Sequence, residues 1–228
     1  MAKRSFYSSS EIEDAAYSNQ LTERLQELVW PFVQAFVPQY DLFTASALWK
    51  FPGEKGTCTM HCDWSIIDEK KYTPLHVWLP ITDVNAGNGT LFLAPGSFNY
   101  TGHYRGYGIP EPQRKHYHLL RSKLIPVEEA AGAGVFYHPG NIHFSPPNYS
   151  TEVRLAVLLS CFPKIASPEL FCKGPFDFFG IRRFPLSRKS FQQWNKRTMP
   201  NWKSTGKVFP DITRVSAETL LSKMDSCI

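Results

Sequence analysis

The sequence holds no run of apolar residues close to the ~20 that a helix needs to cross a bilayer, so a membrane span is not expected. Cysteine is sparse and odd in number. Five residues at irregular spacing do not make a disulfide framework, which points to a reducing compartment and to the cytoplasm. The opening "MAKRSFYSSSEIEDAAYS" carries two basic residues with no apolar stretch behind them, so no signal peptide is expected. Internal repeats and low-complexity segments are absent, which argues against a solenoid. Strong charge of either sign is also missing. The net +5 comes largely from "GIRRFPLSRKSFQQWNKRTMPNWKSTGK", which reads as a solvated face rather than a nucleic-acid surface.

What remains is enough for one domain over residues 1–228: 228 residues, 43% hydrophobic, form a substantial core without leaving room for a second. Residues 9–37 predict a helix, with serines suited to capping and Leu21, Leu25 and Leu28 at helical spacing. Pro31 predicts a kink or a division in it. From Leu42 onward the texture is short segments rich in β-branched and aromatic residues. "LFTASALWKF", "TCTMHCDWS", "LHVWLPI", "GTLFLAP", "GVFYHP" and "RLAVLLSCF" predict strands, and "NAGNG" a turn. Without helices alternating between them, such strands predict a mainly β sandwich or barrel. Residues 97–118 show no periodicity and predict a long loop, functional or disordered.

The chemistry concentrates in "TCTMHCDWSIIDE", residues 57–69. On a strand His61 and Asp63 project to one face and Cys62 to the other; Cys58, an odd number of residues from His61, is also expected off that face. A zinc knuckle would need a second Cys/His pair, which Cys161 and Cys172 do not supply. A lone His-x-Asp pair is as easily a hydrogen-bonded histidine. A third partner changes this. "AGAGVFYHPGNIHFSPPNYSTEVRLAVLLSCF" offers His138 and His143, and Arg154 follows His143 by 11 residues. Two imidazoles and one carboxylate leave three octahedral positions open, which suits Fe(II) that must take an organic co-substrate and dioxygen. An arginine is the natural partner for the far carboxylate of a dicarboxylic acid.

Three blocks in this order, "HCDWSIIDE", "LHVWLPITDVNAGNGTLFLAPGSF" and "HFSPPNYSTEVRLAV", resemble the phytanoyl-CoA dioxygenase-like Fe(II)/2-oxoglutarate oxygenases over about residues 41–163. The resemblance implies a double-stranded β-helix (a cupin-like jelly roll) with the N-terminal helix packed on one sheet, and a basic, aromatic C-terminal extension over 164–228. It implies His61, Asp63 and His143 as iron ligands, with His143 preferred over His138 because it heads the "HFSPPN" block. It implies Arg154 on the C5 carboxylate of 2-oxoglutarate, Trp78 and Ser145 lining that pocket, and a structural Asn148. Strand parity adds His76 to the lining. The cofactor set is Fe(II), 2-oxoglutarate and O2, and the reaction is oxidation, chiefly hydroxylation, of a C–H bond with release of succinate and CO2.

The carboxylate of Asp63 speaks against halogenation, for which that position is vacated. The R-x-N-x-T-x-R block of nucleic-acid dealkylases is missing from "RLAVLLSCF". A small-molecule substrate is therefore expected, anionic or a natural-product intermediate. Arg105, Arg114, Lys115, His116 and His118 are candidates to receive an anion. Trp64, Tyr104, Tyr107 and "FDFFG" are candidates for an apolar pocket or for core. The alternatives are a non-catalytic jelly-roll binding protein and a cupin-type metalloenzyme that does not use 2-oxoglutarate.

Overall fold

The computed structural model describes residues 5–12, 14–194, 198–210, 218 and 222. The described elements run β1 (Phe6–Ser8), α1 (Ala15–Phe36), β2 (Tyr40–Lys50), β3 (Cys58–His61), β4 (Leu75–Pro80), β5 (Phe92–Leu93), β6 (Ile125–Pro126), β7 (Val135–Tyr137), β8 (His143–Ser145), β9 (Arg154–Pro163), β10 (Glu169–Cys172), β11 (Ile181–Pro185), α2 (Arg188–Gln193) and β12 (Gly206–Val208). They form three antiparallel sheets in the orders β1-β2-β9-β4-β7, β3-β8-β5-β6 and β10-β11-β12.

Alternation in the long strands decides what faces what. In β9, Val157, Leu159 and Cys161 point to one side and pack with Val77 of β4, Ala45 of β2, and Trp30 and Val33 of α1. The alternate residues Ala156 and Leu158, with Trp78, point the other way and pack against Leu93 of β5 and the neighbouring Leu91. The five-stranded sheet thus carries α1 on one face and the four-stranded sheet on the other, the jelly-roll sandwich expected. Arg154 has the parity of Ala156, so it enters between the sheets.

The helix starts later than the serines suggest. Ser8 caps a short 3-10 turn at Ser9–Glu11, and Asp14 caps α1 by accepting from Tyr17 N at 3.1 Å. Pro31 lies inside α1 without dividing it: one backbone bond is lost, and the Trp30–Val33 face buried on the sheet holds the turns together. Of the spaced leucines, Leu28 faces solvent at 57% exposure, while Leu25 packs on the sheet together with Val29 and Trp30.

The described part of the segment beyond residue 163 is built into the molecule. Leu170, Phe171 and Cys172 of β10 are fully buried, and Phe184 and Trp194 join Phe43, Ile66 and Ile67 in one cluster. Its described arginines are engaged in structure: Arg183 pairs with Glu169 (2.6 Å), Arg182 with Asp177 (2.8 Å), and Arg188 donates to the carbonyls of Leu42 and Phe43 where β2 bulges. The 97–118 segment is ordered by 3-10 turns at Ser97–Tyr100 and Pro112–Lys123. Among the described residues, no helix is long and apolar enough to cross a membrane.

Candidate metal centre

His61 ends β3 and stands opposite His143, which opens β8. The two rings lie 4.3 Å apart between centroids. Each imidazole is tied in the same way, with Nδ1 on the backbone carbonyl two residues back: His61 on Thr59 O at 2.7 Å and His143 on Asn141 O at 2.8 Å. A carbonyl only accepts, so both Nδ1 atoms carry the proton and both Nε2 lone pairs are free. Those Nε2 atoms converge on Asp63, 3.6 Å from Oδ1 and 3.5 Å from Oδ2 respectively. The ligand atoms of His61, Asp63 and His143 all lie within 4.8 Å of one another.

Asp63 is held by its backbone. Its N–H donates to Pro139 O (2.9 Å), and its carbonyl accepts from Arg105 Nε (2.7 Å). Burial opposes its charge, but His143, His61 and His76 outweigh burial and hold its carboxyl well below the usual range. Burial, reinforced by His61, pushes His143 down to about 4, so that imidazole is neutral at pH 7. Asp63 Oδ2 is nevertheless buried without a hydrogen-bond partner. A buried carboxylate oxygen left unpaired between two imidazole lone pairs lacks a cation, and the donor set matches the facial triad of non-haem iron.

A cavity of about 360 Å³ runs from this cluster between the sheets, with Trp78, Leu91, Tyr137, Ser145 and Arg154 among its walls. Arg154 is 2% exposed, its guanidinium is 5.5 Å over the Trp78 ring, and its Nε and Nη1 have no hydrogen-bond partner. Burial lowers it to about 10. Beside it, at the paired position of β2, is Lys50, fully buried. Lys50 Nζ donates to Ser145 Oγ and to Pro146 O (2.6 Å). Burial, then the Arg154 charge, lowers Lys50 to about 7. Two adjacent buried cations, one of them unpaired, call for a carboxylate.

The chain belongs to the phytanoyl-CoA dioxygenase family. The family model for phytanoyl-CoA dioxygenase matches residues 7–156. Among solved structures the fold is similar to SnoK, a non-heme alpha ketoglutarate dependent carbocyclase from nogalamycin biosynthesis, at 17% identity and TM-score 0.52, covering 78% of this chain and 71% of that one. It is also similar to EvdO2 from Micromonospora carbonacea var. aurantiaca, at 17% identity and TM-score 0.50, over 69% and 66%. EvdMO1 matches at 19% identity and TM-score 0.48 over 71% of this chain, which spans 35% of that protein's length. No curated protein matches.

The residues present fit this family's Fe(II) and 2-oxoglutarate: the triad offers three ligand atoms, and Arg154 lies in the wall of the same cavity beside Ser145, which Lys50 holds from behind. His138 is not in the cluster; its ring stacks on Phe98 (4.5 Å) and its Nδ1 accepts from Gly140 N (2.9 Å), so it is a part-buried, hydrogen-bonded histidine. His76 sits beside Asp63, with Nδ1 3.2 Å from Oδ2 and Nε2 on Ser160 Oγ, rather than on the cavity wall where parity had put it. Cys62 points away from the cluster, to Glu111.

Cys58 corrects the parity argument. Between Cys58 and His61 the strand advances three residues while its partner advances two, from Ser145 to His143. That bulge resets the alternation and places Cys58 on the cavity wall with His61. Arg105 is a second correction. It is buried at 5% exposure and bidentate to Glu69 (2.7 and 2.8 Å), so it braces Asp63 instead of receiving an anion. The three phenylalanines of "FDFFG" are 75–82% exposed, neither core nor pocket. Asn148 is structural: fully buried, it bridges the carbonyls of Lys50 and Glu152.

Lys50 was missed. Its only local signal is a lysine two residues after Leu48, on the strand face that packs inward. The asparagine-glycine turn turns out to serve it: Gly89 has φ +76, and a Cβ there would collide with the Lys50 stem.

Proposed function

We propose that this member of the family is an Fe(II)- and 2-oxoglutarate-dependent dioxygenase that hydroxylates a C–H bond of a small-molecule substrate in the cytoplasm, as a single domain. One observation carries the reading: an unpaired buried carboxylate oxygen between two imidazole lone pairs faces one end of a cavity, and an unpaired buried arginine lies in the same cavity's wall.

Iron with 2-oxoglutarate supplies the oxidising equivalents when bound: one O2 is consumed, 2-oxoglutarate becomes succinate and CO2, and R–H becomes R–OH. The chain's own residues do the rest. Thr59 O and Asn141 O hold His61 and His143 in the tautomer that ligates through Nε2. Pro139 O and the Arg105 guanidinium hold the Asp63 backbone, so its carboxylate stays aimed at the site. Arg154 takes the distal carboxylate of 2-oxoglutarate, with the Lys50 charge behind Ser145 adding to the field there, and Trp78 beneath Arg154 fixes the guanidinium plane. Leu91, Trp78 and Tyr137 keep water from the pocket, and burial, then the Asp63 charge, keeps the Tyr137 phenol neutral.

The test is an anaerobic titration of metal-free protein with Fe(II), then 2-oxoglutarate, watched for the visible charge-transfer band of the chelate. The band, followed in air by succinate release with a substrate gaining one oxygen, is the expected result. Iron bound without the band sinks the assignment.

A further inference from the structure

A second cavity, of about 370 Å³, also opens on His61. Its remaining walls come from Cys62, Trp64 and the 101–114 segment, including Thr101, Ile109 and Glu111. The volume falls within the range of small-molecule sites. Three charged side chains border it. Arg105 is committed to Glu69, and Arg114 lies exposed at the rim, where solvent screens it. Glu111 is the third, half-buried, and its carboxylate turns inward: Oε1 accepts from Cys62 Sγ at 2.7 Å and from Tyr117 OH at 2.8 Å. Both donors, a thiol and a phenol, donate as neutral groups. Among the described residues Glu111 makes no ion pair, and its Oε2 accepts no hydrogen bond. A half-buried carboxylate with only neutral donors on one oxygen leaves the other open to a cationic group in the cavity.

We propose that this cavity receives the substrate and that Glu111 anchors it through a cationic amine, so the substrate is an amine-bearing small molecule oxidised at a carbon near the anchored group. The inference rests on reading His61, Asp63 and His143 as the iron site. It reverses the sign expected from the 97–118 segment, whose Arg105 is already neutralised.

The experiment uses the protein loaded anaerobically with Fe(II) and 2-oxoglutarate, so a missing chelate band reports failure of the iron reading and not of this one. With the band present, a panel of primary amines, each matched with its N-acetyl derivative and the corresponding carboxylic acid, is added. Two readouts follow: perturbation of the band without oxygen, and stimulation of succinate release with oxygen. Free amines are expected to perturb the band and stimulate release, and N-acetylation to reduce both at least ten-fold. Glu111→Gln keeps the acceptor for Tyr117 and is expected to produce the same loss for the amines with 2-oxoglutarate affinity unchanged; Glu111→Asp is expected to retain part of the response. Equal response to acids and amines, amines unaffected by Glu111→Gln, or no responding amine while the band is intact would each overturn the proposal.

Discussion

At the scale of single residues, the site sets a hierarchy that substitution can read. Asp63 supplies the only charge in the triad, so Asp63→Ala is expected to abolish Fe(II) binding, while Cys62→Ala, whose thiol points to Glu111, retains it. Metal content after anaerobic loading checks both; loss of iron in Cys62→Ala would refute the ligand set. Arg154→Ala removes the unpaired guanidinium and is expected to weaken 2-oxoglutarate by roughly 10- to 100-fold, the value of a charge-assisted bond, with iron still bound. Lys50 adds a pH dependence. Its folded value near 7 means it loses its proton as pH rises through neutrality, and a bound dicarboxylate favours the protonated form. The dissociation constant of 2-oxoglutarate should therefore climb above pH 7, by about ten-fold per unit at most, and the climb should vanish in Lys50→Met. Parity paired His61 with Asp63, and the family resemblance was needed to choose His143 over His138 and to give Arg154 its role. They could not reveal Lys50, whose meaning lies in a contact with Ser145 95 positions away.

Elements show where local rules ran out. β2 and β9 are long enough for alternation to be read correctly, but β5, β6 and β8 have two or three residues and carry no pattern to read. A bulge in β3 defeated parity for Cys58, since an inserted residue leaves no mark in composition. The 61–69 loop is stitched to the 101–106 loop by Ser65, Arg105 and Glu69. Removing one member leaves a buried charge alone: Arg105→Leu should cost about 3–5 kcal/mol of stability and lower iron affinity through the loosened Asp63 backbone, measured by denaturant melts with and without metal. Unchanged stability would show that the pair is not buried in solution.

For the whole molecule, the jelly roll was expected and is present, and in the C-terminal segment expected as an extension the described β10 and β11 pack into a buried cluster with Phe43, Ile66 and Ile67. Those strands gave no warning because "LFCKGPFDFFGIRRF" is broken by glycine, proline and charge. Leu170→Ala, at a fully buried position of β10, should lower stability by about 2–5 kcal/mol in a single cooperative transition. A separate early transition would mean that the segment melts on its own.

His61 stands in the partition between the two cavities, and this has a kinetic corollary. On the proposed reading each reactant has a door of its own. Succinate can therefore leave on one side while the oxidised product remains on the other, and product inhibition by succinate should be competitive with 2-oxoglutarate alone. A single molecule that reached around His61, with a dicarboxylate at one end and an amine at the other, would shut both doors at once.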